Sequence, residues 1–171
     1  MNNNTNYHFF MQKALAQAKK ALSAGEFPVG CVMVYQEEIL VTGSRMGTVG
    51  NCPNETDHAE MVALRRLYDL FKNIDRSKIT LFCTLEPCLM CYGALLLSGI
   101  REIVYAYEDV MGGGTRCDLS TLAPLYKNCP IIITSDILRH ESVALLKDYF
   151  TNPENTYWGQ SLLAEYTLNQ D

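Results

Sequence analysis

Apolar residues at Phe10, Ala14, Leu15, Ala18 and Leu22 recur at the spacing of one helix face, which predicts a helix from Tyr7 to Ser23 stopped by Gly25. The pattern then changes. Residues 28–35 and 39–42 form short apolar runs and read as two strands, with the polar Gln36-Glu37-Glu38 between them as a hairpin. Gly43, Gly47, Gly50 and Pro53 predict a loop over residues 43–57. Asp57 is placed to cap a helix whose apolar positions are Ala59, Val62, Ala63, Leu64, Leu67 and Leu70. A strand over 79–85 follows, then a helix with Pro87 at its first position, ending near Gly99. A strand over 102–107, a Gly112-Gly113-Gly114 loop, a strand over 131–134 and a helix over 138–150 continue the alternation. The last segment, 151–171, carries Pro153 and then Trp158, Leu162, Leu163 and Tyr166. It predicts a short helix packed on the domain or on a partner chain.

Strands alternating with helices predict an α/β fold, with a mixed or largely parallel sheet covered on both faces. The 171 residues suit one compact domain, read as a body over 1–150 and a tail over 151–171, with no repeat or linker between them. Composition adds little to the fold but narrows the setting. No run approaches the roughly 20 apolar residues of a membrane span. The start, Met1-Asn2-Asn3-Asn4-Thr5-Asn6, lacks the basic and apolar regions of a signal peptide, so a cytoplasmic address is expected. The count of seven cysteines is odd, which favours reduced thiols over a disulfide framework. Fourteen Lys and Arg against nineteen Asp and Glu give a net charge of -5. That balance counts against a large nucleic-acid footprint, because cations supply much of the grip on a phosphate backbone.

Two short motifs carry chemistry. Cys88-Leu89-Met90-Cys91 places two thiols three residues apart at a helix start, where they share a face and where the helix terminus favours thiolate. The same pattern serves as a redox motif, or as half of a structural zinc site completed by a further thiolate such as Cys52, Cys83 or Cys117. Asp57-His58-Ala59-Glu60 supplies a second half. It reads as a capping box from Asp57 to Glu60, or as a neutral, ligating His58 followed by a carboxylate. In a regular helix residues i and i+2 diverge by roughly 200°, so His58 and Glu60 share one site only if the first turn is irregular. Three protein ligands, His58, Cys88 and Cys91, leave a fourth tetrahedral position for water, the mark of a catalytic zinc site with one ion per chain. Glu60, not a ligand, is then the candidate catalytic group, moving a proton from water to substrate. A closed structural site gives Glu60 no role, and a redox protein leaves His58 unexplained.

His-x-Glu followed about 25 residues later by Pro-Cys-x-x-Cys is the signature of the zinc deaminases. Over residues 58–65, 84–91, 26–30 and 137–150 the chain resembles the cytidine deaminase-like superfamily, and within it the bacterial tRNA adenosine deaminases. The resemblance implies a three-layer α/β/α sandwich around a mixed five-stranded sheet, with 1–150 as the zinc deaminase domain. It also implies a homodimer and hydrolytic release of ammonia from a nucleobase. Pro28 and Val29 fall where that family lines the base pocket, and Asp109 where the tRNA enzymes carry an acid near the substrate.

The chain departs from the family at three places. Members typically carry Gly-x-Asn after the second strand, whereas this chain has Gly43-Ser44-Arg45. Arg45 either enters the pocket, meeting a phosphate or a carbonyl edge, or turns outward into solvent. The tail is acidic where a tRNA-binding relative often ends in a basic helix, so it fits a lid or dimer contact better, with Tyr157 and Trp158 able to stack on a base. The third departure is the net charge. Motif wording favours adenosine in tRNA as the first substrate, while charge, Arg45 and the tail favour a free base, nucleoside or nucleotide of guanine, cytosine or adenine type.

Overall fold

A computed structural model describes residues 3–170. Helix α1 spans Asn3–Ser23, and strands β1 (Gly30–Tyr35) and β2 (Glu38–Ser44) form the expected hairpin. Its loop is the two-residue Gln36-Glu37, both in the left-handed region (φ 50° and 64°), and Glu38 belongs to the strand. Such a turn matches the right-handed twist of paired strands. Helix α2 (Ala59–Leu70), β3 (Ile79–Leu85), α3 (Leu89–Leu97) and β4 (Glu102–Tyr107) follow. The chain closes with α4 (Pro124–Lys127), β5 (Ile132–Thr134), α5 (Arg139–Thr151) and α6 (Leu162–Leu168). The one-turn α4 has no counterpart in the sequence pattern, since four residues are too few to show a period.

The strands form one sheet in the order β2-β1-β3-β4-β5. β1 is antiparallel to both neighbours, while β3, β4 and β5 are parallel. The sheet is therefore mixed, and β2 to β5 share a direction that β1 alone opposes. Side-chain alternation splits the core into two layers. Val32, Val34, Phe82, Val104 and Ala106 meet α1 and Leu145 of α5 on one face. Cys31, Met33, Leu81, Cys83 and Ile103 meet α2 and α3 on the other. Among the described residues no helix is long and apolar enough to cross a membrane.

Because β2 and β3 run the same way, the N-termini of the helices that follow them converge at one edge of the sheet. Gly43 sets the contact on the β2 side. A Cβ there would lie 2.0 Å from the carbonyl oxygen of Ala59, so only glycine lets the first turn of α2 rest on the strand. Gly114 does the same for α3, where a Cβ would fall 2.6 Å from the Leu89 Cα.

Two helix starts differ from expectation. Asp57 does not cap α2: the cap residue is His58, extended at φ -62°, ψ 152°. Asp57 instead accepts hydrogen bonds from Asn54 (2.7 Å) and Arg65, and no capping box forms. Pro87 likewise lies one residue before the cap of α3, which is Cys88 (φ -66°, ψ 168°). Both shifts have one cause. A side chain at the cap leaves the helix axis, where it can reach across to the other helix terminus.

Candidate active site

His58 and Cys88 occupy cap positions, and Cys91 is the third residue of α3. This arrangement answers the 200° difficulty, because His58 is not part of the helical turn that carries Glu60. The Cys88 sulfur lies 3.4 Å from His58 Nδ1, and the ligand atoms of His58, Cys88 and Cys91 all lie within 4.8 Å of one another. A tetrahedral zinc with Zn–N near 2.0 Å and Zn–S near 2.3 Å has an N–S edge of about 3.5 Å, so the three atoms fit that ion. The Cys91 thiol donates to Cys88, holding the Cys88 thiol down to about 4 and raising Cys91. Burial pulls the His58 imidazole down, but its contact with Cys88 outweighs that and the net shift is upward.

No fourth thiolate joins this group among the described residues. Cys83, fully buried on β3, turns its thiol to Glu60 Oε1 at 3.3 Å. Cys52 is exposed, and Cys117 lies among the residues packed against the core. The closed structural site is therefore not formed, and three ligands leave one position open to the cavity.

Glu60 is 3% exposed and borders that cavity, and burial pushes its carboxyl above the usual range. The rest of the lining is mostly apolar: Phe27, Val29, Leu85, Met111, Trp158 and Leu163. Val29 lies on the wall as expected, whereas Pro28 is buried without bordering the cavity, as the chain turns between them into β1. Asp109 also borders it, its Oδ1 accepting from the backbone N–H groups of Met111 and Gly112 at 2.9 Å. Burial raises the Asp109 carboxyl.

Arg45 points inward. It is 3% exposed and lines the cavity, with Nη1 donating to the carbonyls of Met46 (2.5 Å) and Asn54 (2.7 Å). Its Nη2 donates to the Tyr157 hydroxyl at 3.3 Å and faces Glu55 at 3.5 Å. The tail thus reaches the site directly, since Tyr157, Trp158 and Leu163 all line the cavity.

Sequence reasoning missed Glu86 and Glu55. Glu86 is 3% exposed, accepts from Thr115 and from the Asp109 backbone N–H (3.2 Å), and ties the 109–115 loop to the end of β3. Its partners lie more than twenty residues away, so no local pattern marks it. Glu55 sits in a polar loop, and its cavity position follows from contacts with Tyr157 (2.8 Å) and Arg45 (3.5 Å).

Three possible zinc ligands gathered at two helix starts, beside a buried carboxylate, define a metal-site protein on an α/β/α scaffold. Residues 4–107 match the family described as the cytidine and deoxycytidylate deaminase zinc-binding region, and the chain belongs to that family. It is similar to a tRNA-specific adenosine deaminase of Buchnera aphidicola, 34% identical over 146 residues, covering 84% of this chain and 93% of the relative. It is also similar to tRNA-specific adenosine deaminase 2 of Xenopus tropicalis, 41% identical over 111 residues. That match covers 61% of this chain and 64% of the relative, just under two thirds of its length. Among solved structures, one from a study of tRNA deaminases acting at the wobble position of transfer RNA superposes with a TM-score of 0.66. It is 27% identical, over 81% of this chain and 99% of that one.

Proposed function

We propose that the chain hydrolyses the exocyclic amine of a small nucleobase or nucleoside, with His58, Cys88 and Cys91 holding zinc and Glu60 as the catalytic acid and base. The observation that carries the substrate reading is the chain's own tail, which forms one wall of the cavity through Tyr157, Trp158 and Leu163. A macromolecular substrate would have to thread its base past this wall. Glu55, 57% exposed on the cavity lining, disfavours a phosphate backbone beside it.

Zinc, when bound, supplies a Lewis acid that lowers the pKa of water toward about 7. The residues do the rest. Phe27, Val29, Leu85 and Trp158 exclude water from the faces of a flat ring. Glu60 takes one proton from the attacking water and delivers it to the ring nitrogen, then takes the second from the added hydroxyl and passes it to the departing amine. Its raised affinity for a proton suits both directions of transfer. One water enters and one ammonia leaves, so the amine is replaced by a carbonyl.

A second reading, adenosine within tRNA, is favoured by the names of the 34–41% identical relatives. One assay separates the two: ammonia release from tRNA bearing a wobble adenosine, beside guanine, cytosine, adenine and their nucleosides. Turnover of the small molecules with none on tRNA is expected. Turnover of tRNA alone would remove the small-molecule reading. The reading also takes the enzyme to be a cytoplasmic homodimer with 1–150 as its catalytic body. Exposed Leu89, Met90 and Leu97 on α3 support the dimer.

A further inference from the structure

Glu86 is a buried carboxylate that the proposed chemistry does not use. It stands between the end of β3 and Pro87-Cys88, is 3% exposed, and forms no ion pair among the described residues. Taking a carboxylate out of water is costly, so its oxygens need close donors. Three donors meet them, and all three come from one loop. Oε1 accepts the Thr115 backbone N–H at 3.3 Å and the Thr115 hydroxyl, and Oε2 accepts the Asp109 backbone N–H at 3.2 Å.

The loop is shaped to receive this side chain. A Cβ on Gly113 would lie 2.5 Å from Glu86 Oε2 and 2.6 Å from the Asp109 carbonyl oxygen, so glycine there lets the two pack. The loop also rests on the turn that carries Cys88. Gly114 N–H donates to the Pro87 carbonyl at 2.9 Å, and Gly113 pairs with Cys88 as an isolated antiparallel bridge. Residues 109–115 contain no helix or strand, so these bonds fix the loop's shape, and a fully met polar network rigidifies what it joins. Asp109, Met111 and Gly112 of the same loop line the cavity.

We propose that Glu86 is a positioning residue for the reaction: by clamping the 109–115 loop it fixes the cavity wall of Asp109, Met111 and Gly112 against which the base is held. The proposal rests on the deaminase reading above. Glu86 borders the cavity itself, but both its oxygens are engaged by the loop, so it acts through that wall and not on the substrate. Loosening a wall weakens the hold on ground state and transition state alike, which raises KM and leaves kcat. A clamp needed only for folding would lower the amount of active protein and leave KM as it was.

The test takes zinc-loaded Glu86→Gln, Thr115→Val and Thr115→Ser. KM and kcat for ammonia release are measured on whichever of guanine, cytosine, adenine and tRNA bearing a wobble adenosine the wild type turns over fastest. Amide hydrogen exchange at Asp109 and Thr115 is followed in the same proteins. We expect Glu86→Gln to raise KM about tenfold with kcat within about twofold. Both amides should exchange about tenfold faster, with α5 unchanged. Thr115→Val removes one tie and leaves Glu86 in place, so KM should rise about threefold, and Thr115→Ser should restore it. A wild-type KM in Glu86→Gln, or unchanged exchange at both amides, would overturn the proposal and leave the deaminase reading intact. So would a KM raised in Glu86→Gln but not in Thr115→Val, which would put Glu86 on the substrate. A zinc-loaded wild type that releases ammonia from none of the four would remove the deaminase reading and the proposal with it.

Discussion

A histidine two residues before a glutamate cannot share a site with it inside a regular helix. Here both border one cavity because His58 is the extended cap and Glu60 the second residue of the turn. Glu60 in turn depends on a residue with no motif. The Cys83 thiol is the side chain that donates to it, at 3.3 Å, from a fully buried position on β3. A weak donor there orients the carboxyl without stripping it of basicity. We therefore expect Cys83→Val to lower kcat about tenfold at unchanged KM and zinc content, and Cys83→Ser, which keeps a donor, to recover most of it. Equal kcat in both variants and the wild type would remove that role. At this scale the clustering of His58, Cys88 and Cys91 was legible, because their types and spacing match one chemistry. The direction of Arg45 was not, since Met46, Asn54 and Tyr157 decide it and lie from one to 112 residues away.

Among elements, β3 and β4 coincide with the sequence reading because both are buried strands with sharp polar ends. The cap of α2 fell one residue later than expected and that of α3 two residues later, at the side chains that meet across the site, a placement that propensity does not contain. The tail shows how a short helix is held where composition alone says little. Tyr166 of α6 donates to Glu108 at 2.7 Å, Arg139 of α5 pairs with the same carboxylate, and Tyr107 meets Thr167 at 3.2 Å. Burial pushes Glu108 up, but the Arg139 and Tyr166 hydrogen bonds outweigh it and hold its carboxyl down to about 2. A carboxyl whose folded pKa lies below its unfolded value of about 4.3 stabilises at higher pH and loses that contribution as pH falls. Melting temperature should therefore fall between about pH 4.5 and pH 2, and Glu108→Gln should flatten that slope. At neutral pH the same variant should melt a few degrees lower, for about 1 kcal/mol after solvent screening. An unaltered acid slope in Glu108→Gln would show that α6 is anchored otherwise.

For the whole molecule, a mixed sheet with one opposed strand brings two helix N-termini to the same edge, and glycine at 43 and 114 allows both to approach closely. The layers were legible from the alternation of strands and helices, and a lid was one of the two places open to the tail; contacts between residues as far apart as 45 and 157 decide it. The exposed stripe on α3, with Leu89 and Leu97 at 62% and 58%, is the surface a partner copy would cover. Sedimentation at micromolar concentration should give twice the 19.3 kDa chain mass, and Leu97→Glu should shift it toward the single chain. A wild-type chain that sediments as a monomer would refute the dimer. The central claim concerns Glu60 beside a three-ligand zinc site. Its most direct test is zinc content and ammonia release measured together on Glu60→Ala. About one zinc per chain with turnover abolished is the predicted result, and retained turnover would contradict the account.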